Sequence, residues 1–291
     1  MTAFGAFSDG THVFRLNTSS ASMRVAQKGE GADIVWVPGG DSPSEAWRHQ
    51  MDHFAHSFRS TSYDPRGVGE TTSDPAPWSI ADFARDCAEL IEAVCEPPVI
   101  LCGLSMGALI TQQVAIDHPH LVRLAIPMGT AAYIDGFTRD WMQAEINLRR
   151  DGHTLPDYFL ATHYAAFALP AKALGDPSIW DPVKEAYTER FANRAPQDLI
   201  DQWQACLDFD CRSGLRTCSV PLHAIAFAED VQTPPDMVRQ VADLAPNGHF
   251  HELPGLGHVS VARHAQETVN LVIARIIDET EDSHGVFGED H

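Results

Sequence analysis

Apolar residues along this chain follow two periods in turn. Short runs rich in β-branched residues, typical of buried strands, occur near 13–16, 23–26, 34–37, 58–63, 99–102 and 121–126. Between these runs, apolar residues recur every three or four positions over 44–58 and 80–94, which predicts amphipathic helices. Near the C-terminus, helices are predicted over 235–244 and 266–277, on either side of a strand at His249. Alternating strands and helices indicate a mostly parallel sheet covered on both faces.

The strand pattern disappears between residues 131 and 210. Four helix-like stretches follow one another there, near 138–150, 156–168, 180–193 and 196–208. We interpret 131–210 as a helical cap inserted into a core domain formed by residues 1–130 and 211–278. This stretch of 80 residues holds 12 of the 25 aromatic side chains of the chain. Most of them are expected to join cap to core, and a few to line an apolar pocket between the two. The candidates for that pocket are Trp141, Tyr158 and Tyr164.

The most informative segment is Gly103-Leu104-Ser105-Met106-Gly107, which separates a predicted strand from a predicted helix. Strand, G-x-S-x-G and helix together form the context of a nucleophile elbow, where the serine hydroxyl projects clear of the sheet. The positions two before and two after the serine must be nearly free of side chain, because strand and helix backbones cross closely there. The spacing alone also arises by chance in glycine-rich turns, so other residues have to support it.

A serine hydroxyl needs an adjacent base, and that base needs an acid to orient it. Asp230 follows a predicted strand ending near 228, and two prolines suited to opening a helix come after it. His258 lies in a glycine-containing loop directly after the strand at His249. The residues therefore occur in the chain order serine, acid, histidine that this type of elbow requires. Glu229, next to Asp230, is a second candidate for the acid.

Several motifs together resemble the α/β-hydrolase superfamily, in particular small bacterial esterases, enol-lactonases and C–C hydrolases with a helical cap. The matching segments are Val35-Trp36-Val37-Pro38-Gly39-Gly40, Tyr63-Asp64-Pro65-Arg66-Gly67-Val68-Gly69, the elbow, the Asp230 loop and the His258 loop. The resemblance implies a mostly parallel eight-stranded sheet with the cap after strand 6. It also favours Asp230 over Glu229 as the acid beside Ser105 and His258.

The same resemblance places the oxyanion-hole donors at the backbone N–H groups of Gly40 and Met106. Many relatives carry His-Gly where this chain has Pro38-Gly39. A backbone donor does not depend on the lost histidine side chain, so the assignment is kept. Asp41 follows directly and is close enough in sequence to perturb the hole.

These residues predict a serine hydrolase that cleaves a carboxylic ester or lactone of a small, largely apolar substrate through an acyl-enzyme. No metal or organic cofactor is implied, since each step is proton transfer and electrostatic stabilisation. A serine nucleophile excludes the dehalogenase and epoxide hydrolase chemistry of related folds, which use a carboxylate. It leaves open a C–C hydrolase acting on a diketone-type substrate, a cofactor-free perhydrolase, and a ligand receptor with slow turnover or none.

Composition narrows the expected partners and location. The chain carries 40 acidic and 20 basic side chains, a formal charge of −20, which disfavours nucleic acids and anionic membranes as partners. No signal peptide or membrane span is recognised, and six cysteines without C-x-x-C spacing predict reduced thiols in the cytoplasm. Residues 279–291 are rich in acids and are predicted to form a mobile tail. The sequence does not define an oligomeric state.

Overall fold

A computed structural model describes residues 5–192 and 196–285 of the 291-residue chain. Within these ranges, one nine-stranded sheet is surrounded by helices. The strands are β1 (His12–Asn17), β2 (Ala21–Lys28), β3 (Ala32–Val37), β4 (Phe58–Tyr63), β5 (Thr72–Ser73), β6 (Val99–Leu104), β7 (Val122–Met128), β8 (Leu222–Phe227) and β9 (Gly248–Leu253). The α-helices of the core are α1 (Arg48–Phe54), α2 (Ile80–Val94), α3 (Met106–Asp117), α9 (Arg212–Leu215), α10 (Pro235–Leu244), α11 (Ser260–Arg263) and α12 (Gln266–Gly285). Those between β7 and β8 are α4 (Gly136–Arg150), α5 (Asp157–Ala168), α6 (Ala171–Leu174), α7 (Pro177–Ala192) and α8 (Pro196–Leu207). Two short 3-10 helices cover Ser44–Trp47 and Pro119–Leu121.

The strand order is β1-β2-β4-β3-β6-β7-β8-β9, with β5 paired to β2. The pairs β1–β2, β2–β4 and β2–β5 are antiparallel. The pairs β4–β3, β3–β6, β6–β7, β7–β8 and β8–β9 are parallel. The sequence predicted eight strands, and β5 is the additional one. Its two residues are too few to produce a recognisable alternation of apolar and polar positions.

The central strands are buried on both faces, which explains their continuous apolar sequences. Along β3, Val35 contributes to the core on one face of the sheet, and Ile34 and Trp36 to the core on the other. Helices α2, α3 and α10 cover the first face, and α1 and α12 cover the second. Burying one such side chain is worth roughly 1.5–3 kcal/mol, and a slip of one residue would exchange the two faces. The apolar pattern therefore specifies the register.

Helices α4 to α8 follow β7, which is the sixth strand when the two-residue β5 is left out of the count. Helices α5 and α7 pack together around Ala161, Ala165, Val183 and Tyr187, and α4 packs on α8. The sequence predicted four helices here. The fifth, α6, is a single turn, too short for a periodic pattern.

The predicted acidic tail begins inside a helix. Helix α12 continues to Gly285, so 279–285 is helical, whereas 286–291 lies outside the described residues. Glu281 in this segment forms an ion pair with Arg123 of the core at 3.0 Å. Composition alone does not reveal that partner.

All six cysteines are unpaired, as the sequence predicted. Burial raises the pKa of the Cys102 thiol well above its ordinary value, which fits a packing role for this residue in β6. No helix in the described ranges combines the length and apolar character needed to cross a bilayer.

Three histidines form a stack at the edge of the sheet. His223 of β8 hydrogen-bonds through Nδ1 to His251 Nε2 at 3.0 Å, and its ring stacks on His249 with centroids 4.4 Å apart. Burial, followed by repulsion from His249 and His251, lowers the pKa of His223 from 6.5 to about 4. Burial, Arg275 and His249 also lower the pKa of His251, against the opposing effect of Glu279.

This stack predicts a loss of stability in acid. His223 binds a proton less readily in the folded chain than in the unfolded chain. The free energy of unfolding therefore decreases as the pH falls from about 6.5 towards 4. Replacing His223 with Gln should reduce this loss by on the order of 1–3 kcal/mol. Urea unfolding at pH 7 and at pH 4.5 measures it. His153→Gln, at an exposed position, should behave as the unmodified protein does; equal pH dependence in all three proteins would contradict the prediction.

Candidate active site

Ser105 lies at the turn between β6 and α3, at the carboxyl end of a central strand. Its backbone has φ 58° and ψ −123°, which is unusual for a residue with a side chain. The turn is held because the Ser105 N–H donates to the Met128 carbonyl at 3.0 Å and the Ser105 carbonyl accepts from Ala108 and Leu109. The sequence-predicted strand, sharp turn and helix are all present.

The two glycines of the elbow lie where no side chain fits. A Cβ at Gly103 would come within 2.2 Å of the Gly107 carbonyl oxygen, and one at Gly107 within 2.1 Å of the Val37 carbonyl oxygen. These distances are far shorter than van der Waals contact. The glycine spacing of the sequence motif therefore follows from the close crossing of α3 over β6 and β3.

His258 and Asp230 meet at the same edge of the sheet. Asp230 follows β8, His258 follows β9, and both side chains are almost completely buried. His258 Nδ1 lies 2.7 Å from Asp230 Oδ2. An ionised carboxylate accepts at this distance from an Nδ1–H, which leaves Nε2 as the basic nitrogen.

Further hydrogen bonds fix the Asp230 carboxylate. Its Oδ1 accepts from the backbone N–H groups of Gln232 and Thr233 at 2.8 and 3.0 Å. Its Oδ2 accepts from the Thr233 hydroxyl at 2.8 Å, in addition to the contact with His258. Glu229, the other acidic candidate, has an exposed side chain. The structure thus brings Asp230 and not Glu229 to His258.

Ser105 and His258 line one cavity between the sheet edge and helices α4 to α8. His258 Nε2 is buried and has no hydrogen-bond partner among the described residues, so it is not bonded to the Ser105 hydroxyl in this conformation. In unliganded hydrolases such a bond is commonly long and tightens when substrate binds. The position of Nε2 is consistent with a base that faces the substrate.

The loop of residues 38–44, which we call the oxyanion loop, follows β3 and borders the cavity through Gly40. Met106 borders it as the first residue of α3, where helix N–H groups have no carbonyl partner within the helix. Asp41, with φ 60°, directs its carboxylate to Arg190 of α7, and Arg190 Nε lies 2.6 Å from Asp41 Oδ2. The charge that the sequence suggested as a perturbation of the hole is therefore paired with a cation.

Two of the three aromatic residues predicted to line the pocket do so. Trp141 and Tyr164 border the cavity, and the Trp141 ring packs against Trp203 with centroids 5.2 Å apart. Burial and the nearby Glu145 raise the pKa of the Tyr164 hydroxyl, which donates to Glu145 Oε2 at 2.9 Å. Tyr158 does not border the cavity, because it lies on the outer face of the first turn of α5 and is 69 % exposed.

Residues 34–271 match the model of the alpha/beta hydrolase family. The chain belongs to that family. This α/β-hydrolase is 30 % identical over 241 residues to a proposed non-heme bromoperoxidase of Mycobacterium tuberculosis, covering 82 % of the chain and 91 % of the relative. It is 27 % identical over 187 residues to 3-oxoadipate enol-lactonase 2 of Acinetobacter baylyi, covering 64 % and 67 %.

Solved structures support the same fold. The enol-lactonase of Burkholderia xenovorans superimposes on this α/β-hydrolase with a TM-score of 0.79 at 19 % sequence identity, covering 89 % of this chain and 97 % of the other. At that identity the similarity concerns the fold alone. Because its relatives are hydrolases, the chain is assigned as a hydrolase enzyme.

Sequence reasoning missed Thr233 and Gly129. Thr233 was detectable as a local motif, since an Asp-x-x-Thr segment after a strand can close a turn through its side chains. Gly129 follows β7 with φ 52°, and a Cβ there would lie 3.3 Å from His258 Nδ1 and 3.4 Å from Asp230 Oδ2. A lone glycine after a strand gives no sequence signal of that proximity.

Gly129→Ala should therefore reduce activity beyond its cost in stability. A side chain at positive φ costs about 1–2 kcal/mol of folding free energy. The new methyl group would also press against the His258 ring, which must shift by a few tenths of an ångström, and kcat for p-nitrophenyl butyrate should fall about tenfold. Gly136→Ala is the matched control, because Gly136 has φ 55° and no atom within 4 Å of the added Cβ. Equal kcat values in the two variants would show that position 129 has no special relation to the site.

Proposed function

We propose that this α/β-hydrolase is a serine hydrolase that cleaves a carboxylic ester or lactone through a Ser105–His258–Asp230 triad. The observation that carries the proposal is that Ser105 and His258, which are more than a hundred residues apart in sequence, border the same cavity, and that His258 is bonded to Asp230. Asp230 is fully hydrogen-bonded and stays in place, while His258 Nε2 has no protein partner among the described residues. Catalysis requires this division between a fixed acid and an available base.

The mechanism has two halves. His258 Nε2 accepts the Ser105 proton as the serine oxygen attacks the acyl carbon, and Asp230 stabilises the imidazolium that forms. The N–H groups of Gly40 and Met106 donate to the oxyanion of the tetrahedral intermediate. His258 then protonates the leaving alkoxide as the carbon–oxygen bond breaks. In the second half, His258 activates a water molecule that attacks the acyl-enzyme, and Ser105 recovers its proton when the carboxylic acid is released.

The cavity favours a small and largely apolar substrate. Its walls are mostly aliphatic and aromatic: Leu104, Leu109, Ile134, Trp141, Met142, Leu199 and Trp203. The cation at its edge, Arg190, is paired with Asp41, so no unpaired charge of the described wall selects a charged substrate. One relative, at 27 % identity, carries the name of an enol-lactonase, which supports a lactone or ester as the scissile group. In this proposal residues 131–210 act as the cap that closes over the substrate.

One similarity favours a second activity at the same site. The relative at 30 % identity is named as a non-heme bromoperoxidase. In that activity acetic acid would acylate Ser105 with release of water in place of an alcohol. Hydrogen peroxide would then attack the acyl-enzyme in place of water, giving peracetic acid and free Ser105. Adding acetate and peroxide and measuring peracetic acid tests this activity. Peracid formation that is lost in Ser105→Ala supports it, and formation at the rate without enzyme rejects it.

Ser105→Ala should abolish hydrolysis of p-nitrophenyl acetate and butyrate. Loss of the nucleophile removes the acyl-enzyme route, and turnover should fall by about four to six orders of magnitude. The release of p-nitrophenol by purified proteins measures it. The matched control is Ser213→Ala, at an exposed serine of α9, which should keep unmodified turnover. Equal rates in Ser105→Ala and the unmodified protein would contradict a role of Ser105 as nucleophile.

A further inference from the structure

The oxyanion loop has an intrinsically weak conformational preference. Gly39 and Gly40 are adjacent, and a glycine pair populates many backbone conformations at similar energy. An oxyanion donor contributes most when its direction is fixed before the charge develops. Two bonds within the loop restrain this pair, from the Ser42 N–H to the Gly39 carbonyl at 3.2 Å and from the Ser42 hydroxyl to the Gly40 carbonyl at 3.3 Å. Contacts from outside the loop add to this restraint.

The last residue of the loop, Ser44, is bonded to the core. The Asp64 carboxylate, which follows β4, accepts from both the backbone N–H and the hydroxyl of Ser44 at 2.8 and 2.7 Å. Asp64 belongs to the Tyr63-Asp64-Pro65-Arg66 segment that the sequence singled out. Ser44 is nevertheless four residues from Gly40, so this anchor does not fix the donor itself.

The loop residue next to Gly40, Asp41, is bonded to helix α8. The Gln202 side chain accepts through Oε1 from the Asp41 N–H at 2.8 Å and donates through Nε2 to the Arg66 carbonyl at 2.6 Å. The Gln202 side chain is completely buried. One planar amide thus joins a donor of the oxyanion loop to an acceptor of the core, and only one orientation of the amide satisfies both bonds.

The core end of this link is rigid. Arg66 is almost fully buried and forms a two-point ion pair with Asp86, with Nε to Oδ2 at 2.5 Å and Nη2 to Oδ1 at 2.9 Å. Its Nη2 also donates to the Ser20 hydroxyl at 2.6 Å. Gln202 is therefore bound to backbone that is held on several sides.

Helix α7 holds the opposite side of the same peptide group. Arg190 Nη2 lies 3.4 Å from the Gly40 carbonyl oxygen, and the guanidinium also pairs with the Asp41 carboxylate. The peptide between Gly40 and Asp41 thus has its N–H bound by Gln202 and its carbonyl bound by Arg190. The Gly40 N–H belongs to the preceding peptide, whose Gly39 carbonyl accepts from the Ser42 N–H at 3.2 Å. A held Gly40–Asp41 peptide limits the rotation of that preceding peptide and so restricts the direction of the Gly40 N–H.

We propose that Gln202 is a positioning residue for the oxyanion hole, acting through Asp41 to hold the Gly40 N–H towards the reacting carbonyl. This inference rests on the proposed serine hydrolase function. Gln202 touches the loop and not the reacting atoms, so it acts on transition-state stabilisation rather than on substrate binding. Helix α8 then has a role in the chemistry of the core, beyond closing the pocket.

Gln202→Met tests the proposal, since methionine has a similar length and lacks both hydrogen-bonding groups. The variant should lose roughly tenfold to hundredfold in kcat for p-nitrophenyl butyrate, with KM within about threefold of the unmodified value. Inhibition by butaneboronic acid, which forms a tetrahedral adduct with the serine, should weaken in step with kcat. Inhibition by 1-butanol, which has neither a carbonyl oxygen nor a negative charge, should stay unchanged.

The matched control is Gln197→Met on the same helix, where the glutamine is exposed and bonded to Asp201; it should behave as the unmodified protein. If Gln202→Met does not fold, Gln202→Asn decides, because it retains an amide that is too short to join Asp41 to Arg66. Unchanged kcat in a folded Gln202 variant overturns the proposal, and so does an equal loss of 1-butanol and boronate affinity. Activity that survives in Ser105→Ala would instead contradict the proposed function, so the two failures are distinguishable.

Discussion

The close crossing of helix α3 over strands β6 and β3 is the constraint on which the site depends. A carbonyl oxygen occupies the space of a side chain at both Gly103 and Gly107, so backbone packs directly on backbone. That contact forces Ser105 into its unusual conformation and places it at the carboxyl edge of the sheet. The loops after β3, β8 and β9 begin at the same edge, because these strands are parallel and their carboxyl ends lie together. A small set of steric contacts thus determines where the reacting groups meet.

Helices α4 to α8 touch each of the loops that form the site, not only the substrate cavity. The Val259 N–H, next to His258, donates to the Ala168 carbonyl at 3.0 Å at the end of α5. Gln232, two residues after Asp230, donates through its side-chain amide to the Phe167 carbonyl at 3.1 Å, and its backbone carbonyl accepts from the Thr138 hydroxyl. With the bond from Gln202 to Asp41, each loop that carries the proposed base, acid or oxyanion donor has a contact in this region. Core and inserted helices therefore share the task of holding the geometry.

Much of this arrangement was predictable because it depends on local sequence. The elbow, the order of Ser105, Asp230 and His258, and most strands and helices follow from motifs and periodicities of a few residues. The contacts that were missed join distant parts of the chain: Gln202 and Asp41 are 161 positions apart, and no spacing rule connects them. Tyr158 shows a related limit, since composition identified an aromatic-rich region but not which face of α5 borders the cavity. Periodicity defines a helix face, and only tertiary packing decides what that face meets.

The links between the inserted helices and the site loops have a consequence for protein engineering. Exchanging such a region between related enzymes is an obvious way to graft a new substrate preference onto an existing nucleophile. In this chain the exchanged piece would also remove the hydrogen-bond partners of Asp41, Gln232 and Val259, which lie in the three loops at the edge of the cavity. A chimera that keeps the donor's pocket residues but not these polar contacts would have the donor's cavity shape, but its loops would not be held in position. The unit that can be transplanted is the set of helices together with the loop residues they hold.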